Sequence, residues 1–209
     1  MSSTACGQLY AVESTARMET FSDGVFAIAA TLLVLEIALD PNTAHLAHDL
    51  VHLWESYLAY VTSFLTLGVV WINHHSTVAL MGRVDRTFLF INNVLLMVIA
   101  FSPFPTRLVA EHLTGSGARA ATLFFTGTYT VMAAMHQVYW QYARRGRRLI
   151  ADEVPESALH AIDVAYAPGV LLYGATVVVA LFSPLAAVLL TFGVAAFYLP
   201  SAALFERNG

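Results

Sequence analysis

From Val164 to Phe205 the chain runs 42 residues without an Asp, Glu, Lys or Arg. As one helix at 1.5 Å per residue this run would be about 63 Å long, twice the roughly 30 Å hydrocarbon core of a bilayer. It must therefore fold back on itself, and Phe182-Ser183-Pro184 marks the break, because proline ends or kinks a helix. Three more uncharged windows have membrane length: Ser56 to Gly82, Thr87 to Thr106 and Ala120 to Ala143. A further span is predicted near the N-terminus, Met18 to Leu39, although Glu19, Asp23 and Glu36 interrupt it. Without that span the apolar stretch Val25 to Leu35 would be left in water. The expected fold is an all-α integral membrane protein with six transmembrane helices, at about 18–39, 54–77, 87–108, 119–143, 162–182 and 184–205, after an N-terminal segment 1–17.

Composition removes the competing classes. Only 11% of the residues are charged and 58% are hydrophobic, about half the charge of an ordinary soluble domain. A net charge of −4, with no basic stripe interleaved by aromatics, argues against a nucleic-acid partner. Cys6 is the sole cysteine, which excludes an intrachain disulfide and a cysteine-based metal site. Gly115-Ser116-Gly117 has no matching base, and no glycine-rich phosphate loop follows a strand pattern, so neither catalysis nor a cofactor is expected. The first sixteen residues lack the basic start, apolar stretch and cleavage site of a secretory signal, so the spans themselves are expected to direct insertion.

All ten basic residues are arginine. With six spans, one side of the membrane receives Arg17, Arg83, Arg86, Arg144, Arg145, Arg147, Arg148 and Arg207, and the other only Arg107 and Arg119. Arginine excess marks the cytoplasmic side, so both termini are predicted to be cytoplasmic. The Arg-Arg-Gly-Arg-Arg run at 144–148 reads as a topology anchor, with attraction to anionic lipid as a secondary effect.

The first span carries the functional signal. An aspartate at mid-helix costs about 2.5–3.5 kcal/mol to insert, so Asp23 needs a reason. At 100° per residue from Ile28, the residues Phe21, Gly24, Val25, Thr31, Leu32, Leu35 and Leu39 fall within about 60°. Asp23 lies about 140° away, where neighbouring helices can supply partners. The stripe is aliphatic with one hydroxyl, which on periodicity alone is ordinary packing or lipid contact, and Asp23 reads as a structural hydrogen-bond anchor.

Arg17-x-x-x-Phe21-Ser22-Asp23, continuing through Thr31-Leu32-Leu33-Val34-Leu35-Glu36-Ile37, resembles the signature of a transmembrane potassium-channel family. Its animal member resides in endosomes and lysosomes, and its bacterial members are single six-helix repeats. Leu67-x-x-x-Trp71-x-x-His74-His75 is similar to that family's second motif, and Asn92-Asn93 with Phe101-Ser-Pro103-Phe104-Pro105-Thr106 to its third-helix ending. The resemblance covers roughly the first half of the chain. It implies a homotetramer whose first helices line a central pore, with a constriction of bulky aliphatic side chains in place of a carbonyl filter. Carried over residue by residue, the constriction is Ile28, with Leu32 and Leu35 further along, and Thr31 is a hydroxyl ring bearing on selectivity. Ala27 departs from the animal relative, which has serine there. The resemblance also implies that Arg17, Ser22 and Asp23 join Trp71, Asn73, His74 and His75 in a polar network holding the first helix.

The implied activity is passive, modestly selective potassium conduction in a bacterial cell membrane, with lipid and further copies of the chain as its partners. The familiar Thr-Val-Gly-Tyr-Gly carbonyl loop is missing; Thr126-Gly127-Thr128-Tyr129 reads as small residues at a helix contact. No span carries the arginine ladder of a voltage sensor. His45, His48 and His52, with Asp49 between, are spaced to share a helix face and are candidates for a divalent-cation site, though a solvated loop is the expected state. The alternative activity is a small secondary transporter or proton pathway using Asp23 and His74 or His75. Its usual mark, paired broken helices in corresponding halves, has little support here.

Overall fold

The computed structural model describes residues 3–39 and 45–205, and side chains for 15–39 and 45–199. Among them the protein is an all-α membrane protein without a β-sheet. Helix α1 spans Ser3–Leu32 and tightens into a 3₁₀ turn, Leu33–Glu36. A short helix α2, Leu46–His52, leads into α3, Trp54–Ala79. Then follow α4 (Arg86–Phe101), α5 (Pro103–His112) and α6 (Ala118–Arg144). The last described elements are α7 (Glu156–Tyr166), α8 (Gly169–Ala180) and α9 (Pro184–Phe205).

Proline and glycine chemistry sets the breaks. Pro184 begins α9, the position where its missing N–H costs nothing, and the uncharged run turns back there. The stretch read as one span at 87–108 is two helices, because Pro103 cannot continue the ladder of α4. Ser102 N–H bonds the Ile99 carbonyl at 3.1 Å, a 3₁₀ closure at the junction. Pro168 likewise divides α7 from α8 within the stretch read as 162–182.

Among the described residues, four stretches are long and apolar enough to cross a membrane: Thr15–Glu36, Trp54–Ala79, Arg86–His112 and Glu156–Ala180. Pro184–Leu199 is a shorter apolar helix. Helix α6 is less hydrophobic because it sits in the middle of the bundle, packed by α4, α5, α8 and α9. Thr122, Thr126, Tyr129, His136, Tyr139 and Trp140 lie on its buried side, and Phe124, Val131 and Val138, seven residues apart, on its exposed side. The helix buries polar groups among apolar ones and is apolar outward, whereas a soluble bundle helix is polar outward. Trp140, Tyr129, Tyr139 and Phe125 of α6 fill the core together with Phe88 of α4.

Candidate functional site

Helix α1 packs on α3 and α4 with one side only. Met18, Ser22, Phe26, Ala29 and Leu33, spaced three or four apart, form the buried stripe. The aliphatic stripe around Ile28 faces away from the protomer. Ile28 is 61% and Leu35 69% exposed, and Thr31 and Leu32 are exposed between them. Val25 departs from its neighbours on the stripe and packs against the core. The Thr31 hydroxyl donates to the Ile28 carbonyl at 2.9 Å.

Two polar links tie α1 to its neighbours. In the first, Trp71 Nε1 on α3 donates to Asp23 Oδ1 at 2.9 Å. This carboxylate lies in a groove of about 540 Å³ between α1 and α3, lined also by Phe26, Ala27, Phe64 and Gly68. The second link is buried. Ser22 Oγ donates to the Met18 carbonyl at 2.8 Å, so it must accept the 3.1 Å bond from Asn92 Nδ2 on α4. Asn92 Oδ1 is then the acceptor for His74 Nε2 at 2.9 Å, which fixes the proton on that nitrogen. The ring of His74 is held between Phe26 and Tyr139, with centroids 5.6 Å and 5.1 Å away.

The candidate residues therefore separate. His74 reaches Ser22 through Asn92. His75 Nδ1 instead lies 3.2 Å from Glu19 Oε1, at ion-pair distance without hydrogen-bond alignment. Asn73 contributes its backbone carbonyl, which accepts from the Tyr166 hydroxyl at 3.0 Å. Arg17 is exposed and has no side-chain partner among the described residues. Sequence reasoning left Glu19 and Asn92 out of the network. Their signal was present, as an acid one turn before Asp23 and an amide in an otherwise apolar window.

The divalent-cation candidates His45, His48 and His52 lie on α2 and at its N-terminal edge. Leu46–His52 is a helix, but His48 and His52 stack on each other with centroids 3.9 Å apart. His52 Nδ1 lies 2.7 Å from the His48 carbonyl, and His48 Nδ1 3.2 Å from Asp49 Oδ1. The Nδ1 atoms of both rings are thus engaged locally. Among the described residues no group of three or more His, Cys, Asp or Glu is arranged to hold a metal ion.

At one end of the bundle the loops after α3 and α6 are joined. Gly82 N–H donates to the Leu149 carbonyl and Ala151 N–H to the Leu80 carbonyl, both at 3.0 Å. Asp85 caps α4 by accepting from Phe88 N–H at 2.8 Å, and it also accepts from Tyr142 at 2.9 Å and Arg148 at 3.0 Å. Partial burial pushes its carboxyl up, but these three donors together outweigh that and hold it below the usual carboxylate range.

Comparison with known proteins fits this architecture. The family model described as the endosomal/lysosomal potassium channel TMEM175 matches residues 17–103. A Chamaesiphon minutus protein named a potassium channel is 42% identical over 163 residues, 76% of this chain and 80% of that one. A Streptomyces collinus protein, also named a potassium channel, is 39% identical over 175 residues, 82% of this chain and 85% of that one. The crystal structure of a lysosomal potassium-selective channel TMEM175 homolog from Chamaesiphon minutus superposes with a TM-score of 0.83 at 36% identity, covering 91% of this chain and 98% of that one. With relatives this similar over most of their length, and the same helical architecture, the chain belongs to the TMEM175 family.

Proposed function

We propose that the chain is one subunit of a passive, modestly selective potassium channel, in which four copies with six spans each bring their first helices together around a central pore. The observation that carries this reading is the divided surface of α1. One side is held by α3 and α4, and the other presents Ile28, Thr31, Leu32 and Leu35 away from the protomer. Four such stripes around an axis make a narrow constriction at Ile28 that excludes water, with Leu32 and Leu35 beyond it. Because the Thr31 hydroxyl donates its proton to the Ile28 carbonyl, its lone pairs remain to meet a partly dehydrated cation. The bonds that Asp23 accepts from Trp71 and Ser22 from Asn92 hold the lining helix against its own subunit. The names of the bacterial relatives support potassium as the permeant ion.

The reading requires neither cofactor nor catalytic step. It puts the protein in the bacterial cell membrane with both termini cytoplasmic, since the arginine-bearing loops after α3 and α6 meet at one end of the bundle. Arg207, part of the same arginine bias, lies outside the described residues. Purified protein in liposomes is expected to dissipate a potassium gradient without a coupled ion. Strict coupling to protons would select the secondary transporter or proton pathway through Asp23 and His74 or His75. Ile28→Asn is expected to wet the constriction and raise conductance severalfold; unchanged currents would remove Ile28 from the pore.

A further inference from the structure

We propose that the joined loops after α3 and α6 form a headgroup site for an anionic phospholipid, read by Arg83, Arg86 and Arg145. The platform is rigid. The two backbone bonds make Met81 and Ile150 an antiparallel bridge, and Met81, Leu149 and Ile150 are buried beneath it. A Cβ on Gly82 would come within 3.1 Å of the Ala151 backbone, so the close approach depends on glycine. Gly146 and Arg147 take left-handed backbone, with φ of 61° and 53°, and turn the chain sharply after α6.

The arginines of this region divide into two sets. Arg144 donates to Glu156 at 2.7 Å and to Asp163 at 2.6 Å, and Arg147 to Glu156 at 3.2 Å and to the Val154 carbonyl at 2.6 Å. Both are turned inward and staple the loop to α7. Arg148 is spent on Asp85 and lies 5.2 Å over the Tyr142 ring. Its carbonyl accepts from Arg83 Nε at 2.8 Å, which brings Arg83 alongside, and Arg86 opens α4 directly after Asp85. Arg145 is on the same turn, its carbonyl accepting the Arg148 N–H at 3.3 Å.

Arg83, Arg86 and Arg145 are exposed and have no carboxylate partner among the described residues; Asp152 and Glu153, next in the loop, form no ion pair with them. Three unmatched guanidinium groups thus stand on a fixed platform where α3 and α6 end and α4 begins. Anchoring topology needs only positive charge at this level. This loop does more than carry charge, because it is joined backbone to backbone and turns Arg144 and Arg147 onto Glu156 and Asp163 while leaving Arg83, Arg86 and Arg145 exposed. A phosphodiester fits them, since guanidinium forks bind its oxygens in bidentate fashion. Each arginine near an anionic leaflet strengthens binding about fivefold.

The site rests on the membrane placement proposed above, but its readout is lipid retention and not ion flux, so the two can fail separately. Full-length protein in neutral detergent is mixed with phosphatidylglycerol, phosphatidylcholine or inorganic phosphate and weighed by native mass spectrometry. Phosphatidylglycerol is expected to be retained in preference to phosphatidylcholine. R83Q/R86Q/R145Q is expected to lower that retention about a hundredfold, while Arg119→Gln at the start of α6 leaves it unchanged. Equal retention of the two lipids, unchanged retention in the triple variant, loss of retention in Arg119→Gln, or equal adducts from inorganic phosphate each overturn the proposal. Should the triple variant not fold, the singles Arg86→Gln and Arg145→Gln are each expected to lose about fivefold, and no loss in either overturns it.

Discussion

At the scale of single residues, the two links holding α1 differ in what surrounds them. Trp71 and Asp23 meet in an open groove, so water can replace the indole N–H if it is removed. Ser22, Asn92 and His74 are all buried, and no solvent reaches them. Asn92→Ala leaves the His74 Nε2 proton without an acceptor and is expected to destabilise by about 1–2 kcal/mol. Trp71→Phe is expected to cost less than half of that. Thermal unfolding of the two variants in one detergent measures the order, and a larger loss in Trp71→Phe would contradict the buried relay as the main tie. The helical wheel was enough to turn Asp23 away from the Ile28 stripe. It could not pair Ser22 with Asn92, because a bond between residues 70 positions apart depends on how α1 and α4 cross.

At the scale of elements, a further polar anchor joins two helix ends. The Asp85 cap joins the start of α4 to the end of α6 through Tyr142 and Arg148. A carboxylate held below its usual range stabilises the fold fully above its unfolded value of about 3.9, and the contribution is lost as pH falls through the lower folded value. The melting temperature of the wild type is therefore expected to drop on acidification below about pH 4. Asp85→Asn keeps a good capping side chain but cannot titrate, so that part of the drop should vanish. Identical pH profiles in the two proteins would remove Asp85 from the account. The break at Pro184 was legible in the sequence because the run before it was too long for one crossing. The division at Pro103 was not, because a proline kink and a proline break look alike until the helix on each side has found its own packing.

At the scale of the whole molecule, the exposed stripe of α1 is the surface that the proposed four-copy assembly would cover. A mass measurement in mild detergent is expected to give four copies, and a monomer would make the stripe a lipid-facing surface. The sequence by itself determined the solvent, because 11% charge cannot cover a globular surface in water. It also determined the helical class and the first-helix stripe, since charge-free windows and a period of 3.6 are local properties that need no partner. Tertiary structure decided what the local pattern leaves open. It chose Asn92 as the bridge between Ser22 and His74, and put Glu19 beside His75. It stacked the α2 histidines on each other, and sorted the arginines of one loop into inward staples and outward charges. Each of these depends on the crossing of elements distant in the chain, or on a rotamer chosen by packing. A linear pattern constrains neither, because many crossings share the same periodicity and only one closes the hydrogen bonds of the buried groups.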